Sequence, residues 1–510
     1  MLLRVIWLVV FTTFFTGCAS LPKEIKHPTE PKPHKLNSTL NDLINTYYAS
    51  QPTQPQESSA VLVQNTGWDA LAQRLALIEA AEYSINMQYY IWHSDSSGRY
   101  LASRLIAAAD RGVKVRLLLD DINLNERENL LAALDTHPNI EIRIFNPTPS
   151  RRGLAKWLSF LSDFSRFNHR MHNKSFTVDD VLSIVGGRNI GDEYFDLSNE
   201  INFRDRDVLT MGKVVSEIQT SFGNYWNSRW SYPINLLADN IKQQHWLQNK
   251  TSAPDFKHYP ALPEGRLNAH HFLQTTLGKM TWVQAHFISD RPVPLDIADT
   301  SEPMATAQLL GQLAKQSQQE ISLESAYLIF DDRQLAGLKA LVDKGITIKA
   351  LTNSMASNDL ATNHSGYAAR RKGMLENGLK LFELKPDTGL CVKSTKDLSK
   401  CAPNIAYGLH AKSIVFDKKI AVIGSFNFNL RSTYLNTESI LVIENPKIAQ
   451  NLAKDIEQAM NDNNSWRLHL HNDEVRWYSG EQYWDNEPET DRWERSKSRL
   501  LQLLPIEKYL

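Results

Sequence analysis

An excess of charge of either sign is what this chain of 510 residues most lacks: 56 Lys and Arg face 57 Asp and Glu, a net charge of −1. There is no global basic field of the kind nucleic-acid binders carry, so no nucleic-acid partner is expected. Cysteine is scarce, with three in all. None has the spacing or the nearby His and Cys partners of a zinc site, and no metal or cofactor is expected. Cys391 and Cys401 lie close together in a polar loop, which fits either a disulfide in an exported protein or two free thiols. The N-terminal apolar run, Val5 to Phe15 behind Arg4, is too short to span a bilayer as a mature helix.

That run ends in Phe15-Thr16-Gly17-Cys18. Small residues before a cysteine resemble the bacterial lipobox, which implies removal of residues 1–17 and lipid attachment to Cys18. The alternative is a plain secretory signal or an uncleaved anchor. Ala19 rather than Asp follows the cysteine, which by resemblance to Gram-negative lipoproteins favours an outer-membrane anchor facing the periplasm. Residues 18–60 are polar and rich in proline and read as an extended tether, with a short helical patch at Leu40 to Tyr48.

Beyond the tether the pattern is strand and helix in alternation. Helical spacing covers Ala70 to Ala81, Gly98 to Arg111 and Leu130 to Leu134. Strand-like runs cover Ser84 to Ile91, Val113 to Leu119 and Ile140 to Phe145. The same order returns, with strands at Ile321 to Ile329, Ile346 to Leu351 and Leu379 to Leu384, and helices at Gln334 to Lys344 and Gly366 to Asn377. Tyr90 matches Tyr327, and Gly112 matches Gly345. A whole α/β unit is duplicated, each copy a mainly parallel sheet covered by helices. Residues 61–234 form the first unit and 304–465 the second. Residues 235–303 connect them, read as helices and loops, and 466–510 form a tail packing on the body or the membrane. Two amphipathic stretches, Leu154 to Phe167 and Trp493 to Leu504, suit either a lipid interface or plain packing.

Each unit carries one copy of a charged motif. The first reads His172-Asn173-Lys174 with Asp179, and the second His410-Ala411-Lys412 with Asp417. Both are H-x-K-x-x-x-x-D, and both run into an apolar stretch, small residues and an asparagine: Gly186-Gly187-Arg188-Asn189 and Gly424-Ser425-Phe426-Asn427. In extended chain, residues two apart share a face, so each histidine stands beside its lysine. An ammonium holds an anionic phosphate while the imidazole does chemistry on it.

Paired motifs of this form on a duplicated α/β unit resemble the phospholipase D superfamily, and more narrowly the C-type bacterial cardiolipin synthases. Further stretches that carry the likeness are Gln88-Tyr89-Tyr90-Ile91-Trp92, Leu119-Asp120-Asp121 and Leu351-Thr352-Asn353-Ser354. The resemblance implies an α-β-α fold, two units packed with pseudo-two-fold symmetry around one active site at their interface. It also implies a mechanism. One histidine forms a covalent phosphohistidine while the other protonates the leaving alcohol and later deprotonates the acceptor. By analogy His172 is the nucleophile and His410 the acid and base, and the pseudo-symmetry leaves the reverse open. Lys174, Lys412, Asn189, Asn427 and Ser425 would hold the phosphate. An acid must orient each imidazole: Glu438 is expected to serve His410, and Asp207 to serve His172. Asp179 and Asp417 are expected to hold architecture rather than move protons.

The expected activity is phosphatidyl transfer from phosphatidylglycerol and a second phospholipid, for which phosphatidylethanolamine is a candidate. A hydrolytic phospholipase D releasing phosphatidic acid remains the alternative, with a nuclease or a non-catalytic lipid-binding lipoprotein behind it.

Overall fold

A computed structural model of the chain describes residues 21–22, 38–49, 58–124, 127–149, 151, 164–238, 259–292, 302–504 and 507–510. The lipobox-like stretch, most of the tether and most of the amphipathic segment after Leu154 lie outside these residues.

The first unit contributes strands β1 (Ser59–Gln64), β2 (Ser84–Tyr89), β3 (Lys114–Asp120), β4 (Ile140–Phe145), β5 (Ser175–Val178), β6 (Leu182–Gly186), β7 (Ile201–Arg204), β8 (Asp207–Gly212) and β9 (Ser231–Pro233). Then come β10 (Thr281–Ser289), β11 (Glu320–Ser325), β12 (Thr347–Asn353), β13 (Lys380–Leu384), β14 (Ala406–Leu409), β15 (Lys412–Phe416), β16 (Ile420–Gly424) and β17 (Ser439–Glu444). The chain closes its strands with β18 (Ser465–His471), β19 (Glu474–Ser479) and β20 (Gln482–Trp484).

Within the first unit the strands lie in the order β4–β3–β2–β5–β6–β8–β1, and within the second β13–β12–β11–β15–β16–β17–β10. The orders match strand for strand. In both, the first three strands run parallel and are joined by helices, because a parallel pair needs a crossover that a tight turn cannot supply. Those crossover helices include Ser96–Asp110, Glu128–Asp135, Asp332–Asp343 and Ala361–Glu376. Gly112 and Gly345 stop corresponding helices with φ of +99° and +88°, a conformation that side-chain-bearing residues rarely adopt.

Strands β1 and β10 pair antiparallel, so the two sheets become one continuous ribbon of eighteen strands. An apolar cluster spans the seam, packing Val61, Val185 and Val208 with Leu441 and Ile443. A second link is the small parallel sheet of β7 and β14.

Expectations change or sharpen at several points. Each sheet is mixed rather than mainly parallel, because beyond its first three strands every pairing in the order above is antiparallel. The connecting region holds β10, where Val283, Ala285 and Phe287 face inward in alternation, and not helices and loops alone. The helical patch expected at Leu40 to Tyr48 is there as the helix Thr39–Ala49, but its Leu40 and Ile44 are buried in the first core, so this part of the expected tether belongs to the body. The tail adds β18, β19 and β20 to the outer edge of the second sheet before the helix Arg492–Leu501.

Candidate active site

Each histidine sits just before a strand at the junction of the units, and backbone bonds to the opposite unit fix it there. His172 N donates to Thr437 O at 2.9 Å, and Thr437 N returns a bond to Arg170 O at 2.9 Å. His410 N and Ala411 N both donate to Arg204 O, at 2.8 and 2.9 Å. The residue following each of these clamps is acidic, Glu438 in one case and Asp205 in the other.

That geometry determines which carboxylate meets which imidazole. His172 Nδ1 lies 2.8 Å from Glu438 Oε2, and His410 Nδ1 lies 2.5 Å from Asp205 Oδ2. The expected pairing is corrected twice over. Glu438 serves His172 rather than His410, and the second carboxylate is Asp205 rather than Asp207. Asp207 instead lies 2.9 Å from Arg74 and 3.5 Å from Arg188, in a fully buried ion pair within the first unit. The pairings cross because the clamped backbone segments cross. Strand periodicity tells which face a side chain takes, but not which unit lies opposite it.

A register argument does find Asp205. Gly186 pairs with Asp207 across β6 and β8, and Gly424 pairs with Ile440 across β16 and β17. Two residues before each partner stand Asp205 and Glu438. Gly187 is required by this arrangement, since a Cβ there would lie 2.2 Å from Asp205 Oδ1. Ser425 holds the matching place in the second unit, where the longer glutamate leaves room for its hydroxyl. Ser425 Oγ donates to Glu438 Oε2 at 2.5 Å, so it braces the carboxylate instead of facing a phosphate. Ser432 Oγ donates to the other oxygen at 2.6 Å, and Asp290 Oδ2 accepts from Glu438 N at 2.8 Å. Ser432 ends one of the stretches that carry the family resemblance, Gly424 through Arg431-Ser432, whereas Asp290 carries no signal in the sequence that would mark it.

With Nδ1 turned to a carboxylate, Nε2 of each ring is left for a ligand. Both histidines line one cleft of about 1000 Å³ between the units, together with Tyr90, Tyr194, Tyr327, Asn189, Asn427 and Arg431. Tyr90 stands edge-on to His172 with ring centres 4.7 Å apart, and Tyr194 stands edge-on to His410 at 5.0 Å.

The lysines hold their own motifs. Lys174 Nζ donates to His172 O at 2.6 Å, and Lys412 Nζ donates to His410 O. An ammonium has three protons, so two on each remain for an anion. The asparagines differ. Asn189 is committed, accepting from Ile91 N at 3.2 Å and donating to Tyr194 Oη at 3.0 Å. Asn427 lines the cleft, and its buried side-chain oxygen has no hydrogen-bond partner.

Burial dominates the site's electrostatics. It pushes His172 down to about 4 with help from Lys174, although Glu438 pulls the other way. Burial and then Lys412 push His410 down to about 3, against Asp205. Both rings are therefore neutral near pH 7. Burial also lowers Lys174 to about 7 and Lys412 to about 8, while the carboxylates hold them up. Glu438 and Asp205 resist burial and stay below their usual range because His172 and His410, with the lysines, favour their charged forms.

Asp179 and Asp417 lie at the far end of each motif strand. Asp179 accepts from the backbone N–H groups of Glu82, Tyr83 and Ser84, and Asp417 from those of Gln318, Gln319 and Glu320. Each ties its strand to the start of the neighbouring one. Cys391 and Cys401 are joined by a disulfide with Cα atoms 5.8 Å apart. Among the described residues no group of three or more His, Cys, Asp or Glu could hold a metal ion.

Comparison with known proteins gives a consistent answer. The family described as "Cardiolipin synthase, PLD-like domain" matches residues 75–226 and 310–460. Cardiolipin synthase C of Escherichia coli (strain K12) is 39% identical over 451 residues, covering 86% of this chain and 93% of that protein. An uncharacterized protein of Helicobacter pylori (strain J99) is 32% identical over 98% of this chain and 99% of its own length. Among solved structures, the phosphatidylserine synthase of Haemophilus influenzae Rd KW20 superposes with a TM-score of 0.56 at 13% identity. That alignment covers 90% of this chain and 96% of that one, and shows a shared fold.

Proposed function

Because the chain belongs to the cardiolipin synthase family of the phospholipase D superfamily, we propose that it transfers a phosphatidyl group from one phospholipid to the glycerol hydroxyl of phosphatidylglycerol. The donor is a second phosphatidylglycerol, with phosphatidylethanolamine as the other candidate. The observation that carries the reading is the crossed pair: two neutral imidazoles, each braced by a carboxylate of the opposite unit, line one cleft, and a buried lysine bonds the backbone carbonyl of each histidine from behind it.

In the proposed mechanism the Nε2 lone pair of His172 attacks phosphorus. The bond from phosphorus to the leaving alkoxide breaks, and that oxygen takes from His410 Nε2 the proton which this ring, neutral in the free site, acquires when the anionic phosphodiester binds. Glycerol or ethanolamine departs, and the phosphatidyl group remains on His172. The acceptor hydroxyl then gives its proton to His410 and attacks phosphorus, and the N–P bond breaks. Lys174, Lys412 and the Asn427 amide bind the non-bridging oxygens and offset the charge that builds in the five-coordinate transition state. Glu438 and Asp205 hold each ring in the tautomer that presents Nε2 to the cleft.

A lipid substrate fits the rim of the cleft, where Ile122 and Leu360, one from each unit, are each 44% exposed. Among the described residues no helix is long and apolar enough to cross a membrane. The attachment we propose rests on the lipobox-like Phe15-Thr16-Gly17-Cys18: a lipid on Cys18, at the periplasmic face of the outer membrane. A disulfide between Cys391 and Cys401 suits that oxidising compartment.

Purified protein incubated with labelled phosphatidylglycerol, with and without phosphatidylethanolamine, should yield cardiolipin. Phosphatidic acid as the main product would replace transfer by hydrolysis. His172→Ala and His410→Ala should each abolish turnover, and substantial activity in either would refute the two-histidine scheme.

A further inference from the structure

The helix Ser96–Asp110 does not close down on the sheet beneath it. Between that helix, strands β3 and β4 and the helix Glu128–Asp135 lies a cavity of about 670 Å³. Its walls are mostly apolar, with Leu105 and Ile106 above, Leu117, Leu119 and Ile142 below, and Leu131 at the side, while Arg99, Arg104, Asp110 and Asp120 also border it. Close-packed interiors hold few voids larger than a water molecule, and a void lined by leucine and isoleucine stays dry. A hollow of this size falls instead within the range of about 300–1,000 Å³ typical of small-molecule sites.

The hollow continues into the catalytic cleft. Tyr90, His93, Asn123 and Arg127 line both spaces. Tyr90 is the ring that stands edge-on to His172, so the apolar space begins one side chain away from that imidazole. At the junction Arg127 donates to Trp92 O at 2.6 Å and has no carboxylate partner among the described residues. The arrangement is therefore cationic at the mouth and hydrocarbon-like in depth. Ile122, largely exposed, stands on the outer rim beside it.

We propose that this cavity seats one acyl chain of a phospholipid substrate whose phosphodiester lies at His172. The proposal rests on the phospholipid reading above and deepens it. One chain is drawn under the helix Ser96–Asp110, Arg127 faces the anionic headgroup at the mouth, and the other chain stays in the lipid layer beyond Ile122.

The test uses the full chain in mixed micelles. Phosphatidylglycerol carrying a diazirine near the end of a palmitoyl chain is photolysed on the protein, and the labelled peptides are identified by mass spectrometry. A diazirine-bearing free palmitate serves as the second arm. Crosslinks from the phospholipid should fall in the helix Ser96–Asp110, in β3 or in the helix Glu128–Asp135. Labelling by free palmitate alone, or labelling confined to other segments, overturns the proposal.

A second measurement fills the cavity with Ala102→Phe, and with Ile106→Phe should the first variant fail to fold. The ratio of turnover on dioleoyl- to dihexanoyl-phosphatidylglycerol should fall at least about tenfold. A ratio within about twofold of the unaltered protein overturns the proposal even where crosslinks form. If the unaltered protein makes phosphatidic acid in place of cardiolipin, the transferase reading fails while the crosslinks still decide the chain seat.

Discussion

Glu438 accepts the Nδ1 proton of His172 at 2.8 Å, across 266 residues of sequence and across the seam between the two units. The reciprocal bond from His410 to Asp205 spans 205 residues. Neither motif histidine takes its carboxylate from its own unit. The active site is thus a property of the docked halves, and the duplicated chain guarantees both halves at equal concentration.

The crossing makes a specific prediction. Glu438→Gln should disturb the titration and tautomer of His172 and leave those of His410 in place, as read by NMR of ring-labelled histidine. Asp205→Asn should do the reverse. Each should lower kcat by about 10- to 100-fold, the usual effect of removing an orienting carboxylate. Asp207→Asn should act through stability instead. It breaks a buried contact with Arg74 and Arg188, a change that costs about 3–5 kcal/mol.

A second prediction follows from charge. Below about pH 7, where both imidazoles are still neutral, the ammonium groups of Lys174 and Lys412 offset the carboxylates of Glu438 and Asp205. An anionic phosphodiester entering this neutral site draws in a proton, which His410 then holds for the leaving alcohol. Lys174 loses its charge as pH rises through about 7 and Lys412 through about 8. Phosphate binding therefore weakens with rising pH, and kcat/KM should fall from neutrality upward. Calorimetry of inorganic phosphate binding, in buffers of different ionisation heat, should show proton uptake near pH 7. Proton release, or a kcat/KM that climbs above pH 8, would contradict this arrangement.

Much of this site was legible in the sequence, for a physical reason. A motif that needs residues two apart on one face leaves a fixed spacing, and duplication writes that spacing twice. The placement of His172 and His410 at one cleft follows from both. What sequence pattern could not reach were contacts set by the docking of the units. Asp205 and Asp207 are both acidic and two apart, so alternation treats them alike, and the Gly186–Asp207 and Gly424–Ile440 registers are needed to choose between them. Asp290 lies outside either repeat and reaches Glu438 from the connecting region. Strand β10 was legible in retrospect, since Val283, Ala285 and Phe287 alternate with Gln284 and His286.

The two motif aspartates hold the same three-bond arrangement in different surroundings, and their responses to pH should differ. Burial pushes Asp179 up in spite of its three N–H partners, whereas the half-buried Asp417 is held below its usual value by equivalent bonds. A depressed carboxylate contributes stability above its unfolded pKa, about 3.9, and loses it as pH falls further. Asp417→Asn should therefore melt below the unaltered protein at pH 7 and converge with it in acid. Asp179 has the opposite sign, so its ionised form gains less. Asp179→Ala, which strands three amide donors, should cost about 3 kcal/mol, while Asp179→Asn keeps an acceptor and should retain turnover. Loss of all activity in a folded Asp179→Asn would move that residue into the chemistry.

The C-terminal helix offers a final test, of the membrane face. Asp491 and Glu494 cap Arg492–Leu501 with reciprocal bonds, and Ser498 is buried where the helix lies against Ala361–Glu376. Its outer side carries Trp493, 74% exposed, and Leu500, 67% exposed, seven residues apart and so on one stripe, with Lys497 and Arg499 beside them. Leu503 follows at 79% exposure. An apolar stripe flanked by cations suits an anionic lipid surface, and burying two such side chains is worth about tenfold or more in binding. Trp493→Ser combined with Leu500→Ser should weaken cosedimentation with phosphatidylglycerol vesicles by about that factor and leave thermal stability unchanged, because neither side chain packs on the body. Unaltered vesicle binding would assign the helix to covering the second unit alone.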